Sequence, residues 1–257
     1  SFTSDDFYGL LDDDESILSN SATVDIGIGR APVNTIQELN SFIAKVKNYE
    51  ASTGQNTQAN CSTTPSIKNT FGSWKNKLMF VADDGSESDG YSKDHLDQSE
   101  LIIDKINEID SSFNHKKIYL DSYEKVPSPS GGTYPDVTRE INNGMSTGNL
   151  VVSYIGHGGE AGWADERVLS ISDILNWNHF DRLPLFLTAT CEFSRFDDPD
   201  RTAAGEHVFL NPDGGAIALI TTVRLVYGGI SNNIGFAINF FNNTLPKNIQ
   251  NTIGQGL

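Results

Sequence analysis

Two side chains with catalytic potential each follow an apolar run in the sequence. Residues 150–156 read LVVSYIG and lead into His157, and residues 183–190 read LPLFLTAT and lead into Cys191. If these runs are neighbouring parallel strands, both side chains emerge at the same edge of a sheet. A histidine beside a cysteine can take the thiol proton and leave a nucleophilic thiolate. The spacing therefore indicates nucleophilic catalysis at that edge.

Glycines surround the histidine, because Gly156 precedes it and Gly158 and Gly159 follow it. Without side chains at these positions, a substrate backbone can approach the imidazole closely. The N–H groups of Gly158 and Cys191 are then candidates for an oxyanion hole. Each reactive residue also has an ordinary interpretation, in which Cys191 is a packed core residue and His157 hydrogen-bonds a loop carbonyl. Only the two together favour catalysis.

The elements that must position these residues alternate between strand and helix. Apolar runs predict strands at 24–29, 77–82, 116–120, 150–156, 183–190 and 215–222. Helical periodicity predicts helices at 35–50, 94–110, from about Pro135, and at 171–177, 202–210 and 229–241. Near-continuous apolar strands indicate a sheet covered on both faces, and strand–helix alternation indicates a parallel one. We expect a three-layer α/β/α sandwich with a mostly parallel sheet.

Composition and motifs argue against several other classes of function. The 257 residues carry a formal net charge of −16, whereas nucleic-acid binding needs a basic face. No apolar stretch approaches the roughly 20 residues of a membrane span. The sequence has no G-x-S-x-G, G-x-G-x-x-G or Walker motif. It begins as if within a domain, so we expect it to be a fragment of a longer protein.

Metal chemistry is not expected to contribute to catalysis. The remaining histidines are scattered along the chain, so no zinc centre is predicted from them: His95, His115, His179 and His207. Structural calcium remains an alternative at three acidic segments, which are residues 83–90, Asp12–Glu15 and Asp197–Asp200. Solvated acidic turns explain the same segments without an ion.

The two reactive motifs resemble those of the caspase-like cysteine peptidases. Within that group, SYIGHGGEAGW (153–163) and LPLFLTATCEFSRFD (183–197) are similar to the gingipain-like family. DIGIGRAPV (25–33) and GGAIALITTVRLVYGG (214–229) fit the same family, so the resemblance covers nearly the whole chain. DDFYGLLDDD and FVADDG further resemble the gingipain-like signal peptidases and sortases of the type IX secretion system.

The resemblance implies a division of the chain and a set of catalytic roles. Residues 1–70 would form an N-terminal α/β lobe, and residues 71–257 a caspase-like catalytic lobe. Cys191 would be the nucleophile, and His157 the general base and acid. The Gly158 and Cys191 N–H groups would form the oxyanion hole. A carboxylate would stand behind the histidine, and its best match is Asp84, with Asp83 second.

The resemblance also implies substrate-binding residues. Trp163, Arg224 and Tyr227 match positions that shape the family's substrate site. The acidic residue that gingipains use to hold a basic substrate side chain has no counterpart here, because His95 and Leu96 occupy that neighbourhood. A preference for basic residues is therefore not expected.

The function implied is a cysteine endopeptidase and transpeptidase outside the cytoplasm. It would remove the C-terminal sorting domain of secreted cargo through a thioester on Cys191, and an amine such as one on lipopolysaccharide could accept the acyl group. Its partners would be cargo proteins and outer-membrane proteins of the secretion system, at the surface of a Gram-negative bacterium. A location outside the cytoplasm permits a Cys61–Cys191 disulfide, which would abolish the nucleophile. We expect both cysteines to be unpaired, because Cys61 lies in a polar loop of the other lobe. The alternatives are a freestanding degradative peptidase and a non-catalytic adaptor of a secretion complex.

Overall fold

The structure is a computed structural model that describes residues 5–13, 15–16, 24–50, 72–85, 94–129, 131–226 and 230–245. Its helices are α1 (Ile36–Glu50), α2 (Asp94–Ile109), α3 (Pro135–Thr147), α4 (Ile171–Leu175), α5 (Ala204–Leu210) and α6 (Ile230–Thr244). Its strands are β1 (Lys77–Ala82), β2 (Asn114–Tyr119), β3 (Val151–Ile155), β4 (Gly158–Gly159), β5 (Gly162–Trp163), β6 (Leu169–Ser170), β7 (Leu185–Ala189) and β8 (Ala218–Ile220).

Five of these strands form one parallel sheet in the order β2-β1-β3-β7-β8. The chain runs outward from β1 to β2 and then returns to the other side of β1 with β3. In sheets of this kind, ligands bind in the crevice outside the carboxyl ends of the strands where the order reverses. That point lies between β1 and β3. The short strands β4, β5 and β6 form a separate antiparallel sheet directly after β3.

Helices cover both faces of the parallel sheet. Alternate residues of β1 point to opposite faces, because the side-chain period of a strand is two. Leu78 and Phe80 belong to a buried cluster with Ile102 of α2 and Phe241 of α6. Met79 and Val81 point to the other face of the sheet and belong to a second buried cluster, which includes residues of α3, α4 and α5. The expected three-layer α/β sandwich is confirmed.

The first predicted strand, at 24–29, is wrong. Its apolar residues alternate, which is the pattern of a half-buried strand, yet the segment forms no strand and bends at Asp25 and Ile26. Val24, Ile26 and Ile28 are exposed. No other described strand lies beside this segment to supply the backbone partners that a ladder needs.

Helix α1 is joined to the sheet domain through a buried lysine. A capping box begins the helix, because the Glu38 N–H donates to Thr35 Oγ1 at 3.2 Å and the Thr35 N–H donates to Glu38 at 2.9 Å. Lys45 is 1% exposed, and its Nζ donates to the Phe209 carbonyl at 2.7 Å. Burial lowers the pKa of Lys45 to about 7. The predicted lobe boundary near residue 70 lies outside the described residues and stays a prediction.

None of the helices in the described parts of the chain combines the length and apolar character needed to cross a bilayer.

Candidate active site

His157 and Cys191 follow neighbouring strands at the same edge of the sheet. β3 and β7 pair in parallel with Ile155 opposite Ala189, so each reactive residue lies two positions beyond that pair. The Gly156 N–H donates to the Ala189 carbonyl at 3.3 Å, which extends the pairing past the end of β3. Neighbouring strands lie about 4.8 Å apart. The fold therefore brings the two predicted motifs together at the carboxyl edge.

Asp83 ties the histidine loop to the end of β1. The Asp83 N–H donates to the Ile155 carbonyl at 3.0 Å, and its carboxylate accepts the His157 backbone N–H at 2.8 Å. The same carboxylate accepts the Asp84 N–H at 3.0 Å. Asp83 is only 2% exposed, and this burial raises its pKa to about 7. It occupies the point where the strand order reverses.

Asp84, the first candidate for the carboxylate behind the histidine, is engaged elsewhere. Its carboxylate accepts the Tyr134 hydroxyl at 2.7 Å and forms an ion pair with Lys125 at 3.1 Å. Lys125 forms a second ion pair with Glu166 at 2.5 Å. A carboxylate oxygen of Asp83, by contrast, lies within 4.8 Å of a His157 ring nitrogen. The geometry therefore favours the second candidate of the sequence analysis.

His95 is a further residue of this edge, and no catalytic or binding role is predicted for it from the sequence. It is the second residue of α2. Its ring lies edge-on to the His157 ring, with centroids 5.6 Å apart and planes at 87°. One of its ring nitrogens lies within 4.8 Å of both His157 and Asp83. The only signal in the sequence was that His95 and Leu96 lie in the neighbourhood where the family resemblance implies an acidic residue.

The glycines around His157 permit close packing of its loop. A Cβ atom on Gly158 would lie 2.5 Å from Thr190 Oγ1 and 2.9 Å from the Gly162 carbonyl oxygen. A Cβ atom on Gly156 would lie 2.3 Å from the Cβ atom of Asp83. Real Cβ atoms do not approach this closely, so neither position admits a side chain without a shift of its surroundings. The loop is thereby held against the residue before Cys191.

Trp163 lies behind this loop and not in a binding site. Its side chain is 0% exposed and stacks on Tyr154, with ring centroids 4.4 Å apart. Phe186 and Phe193 contact its other sides. Trp163 pairs with Gly158 across β4 and β5. Because its side chain is buried, Trp163 supports the glycine turn from behind, and its expected role in shaping the substrate site stays a prediction.

The segment 222–226 runs along the turn that carries Cys191. Glu192 has a left-handed φ of +50°, which is uncommon for a residue with a side chain, and its N–H donates to the Arg224 carbonyl at 3.3 Å. The Thr222 hydroxyl donates to the Thr190 carbonyl. The Cys191 thiol is free and donates to the Val226 carbonyl at 3.6 Å. This segment therefore forms a wall beside the thiol.

Arg224 belongs to that wall, but its guanidinium is bound to a neighbour. It forms an ion pair with Asp197, and both side chains are partly buried. The expected role of Arg224 in substrate binding would require this pair to open or to be shared. Tyr227 and Cys61 lie outside the described residues, so their predicted roles stay predictions.

The acidic segments proposed for calcium differ in their surroundings. Carboxylate oxygens of Asp12, Glu15 and Asp25 lie within 4.8 Å of one another. Asp197 is paired with Arg224, and Asp198 lies 3.9 Å from Arg195. Most of the 83–90 loop lies outside the described residues. Structural calcium therefore stays a prediction.

Comparisons with known proteins give a family match and two similar solved structures. The model described as Peptidase family C25 matches residues 1–257. The chain is similar to the Arg-specific cysteine proteinase gingipain R (RgpB), at 17% identity and a TM-score of 0.69, over 99% of this chain and 52% of that one. It is similar to RgpB in the complex of Porphyromonas gingivalis RgpB pro- and mature domains, at 15% identity and a TM-score of 0.65, over 96% of this chain and 50% of that one.

A search of curated proteins finds no match. The chain spans about half the length of the two gingipain structures. At this level of identity the likeness concerns the fold, and it confirms the caspase-like α/β architecture expected from the sequence.

Proposed function

The chain belongs to peptidase family C25, and from this premise we propose that it is a cysteine peptidase with Cys191 as nucleophile and His157 as general base and acid. The observation that carries the proposal is the register of β3 and β7, because Ile155 opposite Ala189 sets both residues at one edge of adjacent strands. A packed core cysteine would be buried, whereas Cys191 is partly exposed. His157 is exposed at the same edge of the sheet, so a substrate can reach both.

The reaction proceeds by proton transfer and acyl transfer. His157 takes the Cys191 proton, and the thiolate attacks the carbonyl carbon of the scissile peptide. The negative charge that develops on the carbonyl oxygen is stabilised by the N–H groups of Gly158 and Cys191. His157 then gives its proton to the leaving amine as the C–N bond breaks, and a thioester on Cys191 remains. Water or a second amine attacks the thioester, loses its proton to His157 and frees the thiol.

Asp83 is the positioning residue for the histidine in this proposal. Its carboxylate fixes the His157 backbone directly and stays near the imidazole. A carboxylate beside an imidazole favours the protonated form that arises after the thiol loses its proton. Asp84 is less suited to this role because Lys125 and Tyr134 already bind its carboxylate.

We further propose that the substrate is secreted cargo with a C-terminal sorting domain, as for PorU, the signal peptidase and sortase of the type IX secretion system. This rests on the resemblance of DDFYGLLDDD and FVADDG. The enzyme would then act outside the cytoplasm at the outer membrane, with secretion-system proteins as partners. Lipopolysaccharide would be an acceptor for the acyl group.

The second candidate is a degradative peptidase like gingipain R, which shares the fold. His95 beside His157 counts against a preference for basic residues, because an imidazole supplies no negative charge for them. The non-catalytic adaptor is the weakest candidate, because it predicts the loss of one of the two reactive residues and the sequence has both.

The experiment is mass spectrometry of a peptide that spans the junction between cargo and sorting domain. It is incubated with the wild-type chain, Cys191→Ala and His157→Ala, with and without ethanolamine as acceptor. We expect cleavage by the wild type alone, with the N-terminal product gaining ethanolamine if transfer competes with hydrolysis. Equal cleavage by Cys191→Ala would overturn the mechanism. Cleavage only of unrelated arginine-containing peptides would support the degradative candidate.

A further inference from the structure

A three-residue group at the switch point has the composition of a transition-metal site. One ligand atom each from Asp83, His95 and His157 lies within 4.8 Å of the other two. These residues are far apart in the sequence, since they follow β1, begin α2 and follow β3. Two imidazole nitrogens and one carboxylate oxygen form a common three-ligand set for zinc. The fold therefore assembles what the scattered histidines of the sequence did not predict.

We propose that Asp83, His95 and His157 bind a zinc ion that reversibly inhibits the enzyme. The inhibitory role rests on the proposed function, because the ion would occupy the imidazole lone pair that must accept the Cys191 proton. Nitrogen ligands favour zinc over magnesium and calcium, which prefer oxygen ligands. His157 is exposed, so the ion can enter from solvent and keep its fourth position open.

The present geometry needs only side-chain adjustment to close around the ion. Ligand atoms on a tetrahedral zinc ion lie roughly 3.4 Å apart, because Zn–N and Zn–O bonds are about 2.0–2.2 Å long. Asp83 is held by the His157 and Asp84 backbone N–H groups, which fix it as the anchor. The exposed His157 ring and the His95 ring meet edge-on, and rotation about their side-chain torsions turns the nitrogens inward.

The test is calorimetric titration of zinc into the Cys191→Ala variant of the chain. This variant keeps all three ligands and removes the thiol, which could otherwise bind zinc by itself. We expect one tight zinc site per chain. In the same Cys191→Ala background, His95→Ala and Asp83→Asn should each lower the zinc affinity by at least about tenfold, because even the mutation of a residue that only supports a metal ligand lowers affinity by about that factor. Asp83→Asn keeps the shape of the side chain, so it guards against a His95→Ala variant that fails to fold.

The matched control is His115→Ala, which removes an imidazole from the start of β2, where it pairs with Leu78 at the amino end of β1. We expect the control to bind zinc as the parent does, and calcium to give no comparable binding. Equal affinity in His95→Ala and His115→Ala, or zinc binding only when Cys191 is present, would overturn the proposal. Because the parent variant has no nucleophile, this result is independent of whether the peptidase proposal survives.

Discussion

The carboxylate of Asp83 accepts a hydrogen bond from the backbone N–H of His157 at 2.8 Å, across 74 positions of sequence. One residue follows β1 and the other follows β3, so the contact spans the point where the strand order of the sheet reverses. Because the bond involves the backbone of His157, it fixes the histidine loop in any conformation of the imidazole side chain. The catalytic proposal and the zinc proposal both depend on this link.

The buried carboxyl of Asp83 gives a testable pH dependence of stability. Its pKa of about 7 in the folded chain exceeds the ordinary value of 3.8, so the folded chain binds a proton that the unfolded chain releases. This contribution is present at low pH and is lost as the pH rises from about 4 to about 7. We therefore expect the free energy of unfolding of the wild type to fall by roughly 2–4 kcal/mol over this pH range. The Asp83→Asn variant should not show this fall.

Urea unfolding of both proteins at about pH 4.5 and about pH 7.5 measures this decline. Asp104→Asn, which changes an exposed aspartate of α2, is the control and should retain the wild-type decline. An Asp83→Asn protein with the same pH dependence as the wild type would show that the carboxyl is not protonated in the folded chain.

The glycine turn can be tested with two adjacent substitutions. Gly158→Ala should lower the free energy of unfolding by roughly 1–3 kcal/mol and reduce peptide cleavage, because the new Cβ atom meets Thr190 and the Gly162 carbonyl. Gly159→Ala should be tolerated, since nothing lies within 4 Å of the Cβ atom that it adds. Urea unfolding and peptide cleavage measure both effects. Equal losses in the two variants would contradict the packing argument.

Lys45 predicts the opposite pH trend at higher pH. Its pKa of about 7 in the folded chain lies below the ordinary 10.5, so the unfolded chain binds more protons and stability rises with pH above 7. Between about pH 7 and pH 9 the gain should be about 2 kcal/mol in the wild type and absent in Lys45→Met. Lys47→Met, at an exposed position of α1, should keep the gain. A Lys45→Met protein that still gains stability refutes the assignment.

The pair of Arg224 and Asp197 can be tested by a double-mutant cycle. Its two side chains are 28% and 13% exposed, so truncation to Gln and Asn should give a coupling free energy of about 1 kcal/mol in unfolding. The exposed pair of Arg139 and Asp136 is the control and should couple by less than about 0.5 kcal/mol. A coupling as small as the control would leave Arg224 available to a substrate, as the sequence analysis expected.

Sequence patterns predicted the sheet and both reactive positions because these depend on local periodicity. The runs before His157 and Cys191 are mostly apolar, with few polar residues, which is the pattern of strands buried on both faces. Each run predicts both a strand and the residue at which the strand ends. Because neighbouring parallel strands end at the same edge of a sheet, the residues that follow them come together. The alternating run at 24–29 is also a strand pattern by its local periodicity. A strand additionally needs a neighbouring strand for its backbone hydrogen bonds, and the residues of the run do not show whether such a neighbour exists.

The partners of His157 were harder to predict because they depend on tertiary contacts. Asp83 and Asp84 are adjacent and chemically equal, and only the packing around Tyr134 and Lys125 distinguishes them. His95 contacts His157 because the fold brings the start of α2 close to the end of β3. The spacing of the two histidines in the sequence does not show this. The stacking of Trp163 on Tyr154 behind the histidine loop is likewise a tertiary contact that the sequence does not show.

The most direct test of the proposed dyad is alkylation of Cys191 by iodoacetamide at about pH 6, where an ordinary thiol is almost entirely protonated and unreactive. The rate is followed by mass spectrometry of the peptide that contains Cys191, with the peptide of Cys61 as internal reference. We predict that Cys191 in the wild type reacts at least about tenfold faster than in His157→Ala, because the proposed mechanism needs the imidazole to accept the proton of the thiol. Equal rates in the two proteins would contradict the catalytic pairing of His157 with Cys191.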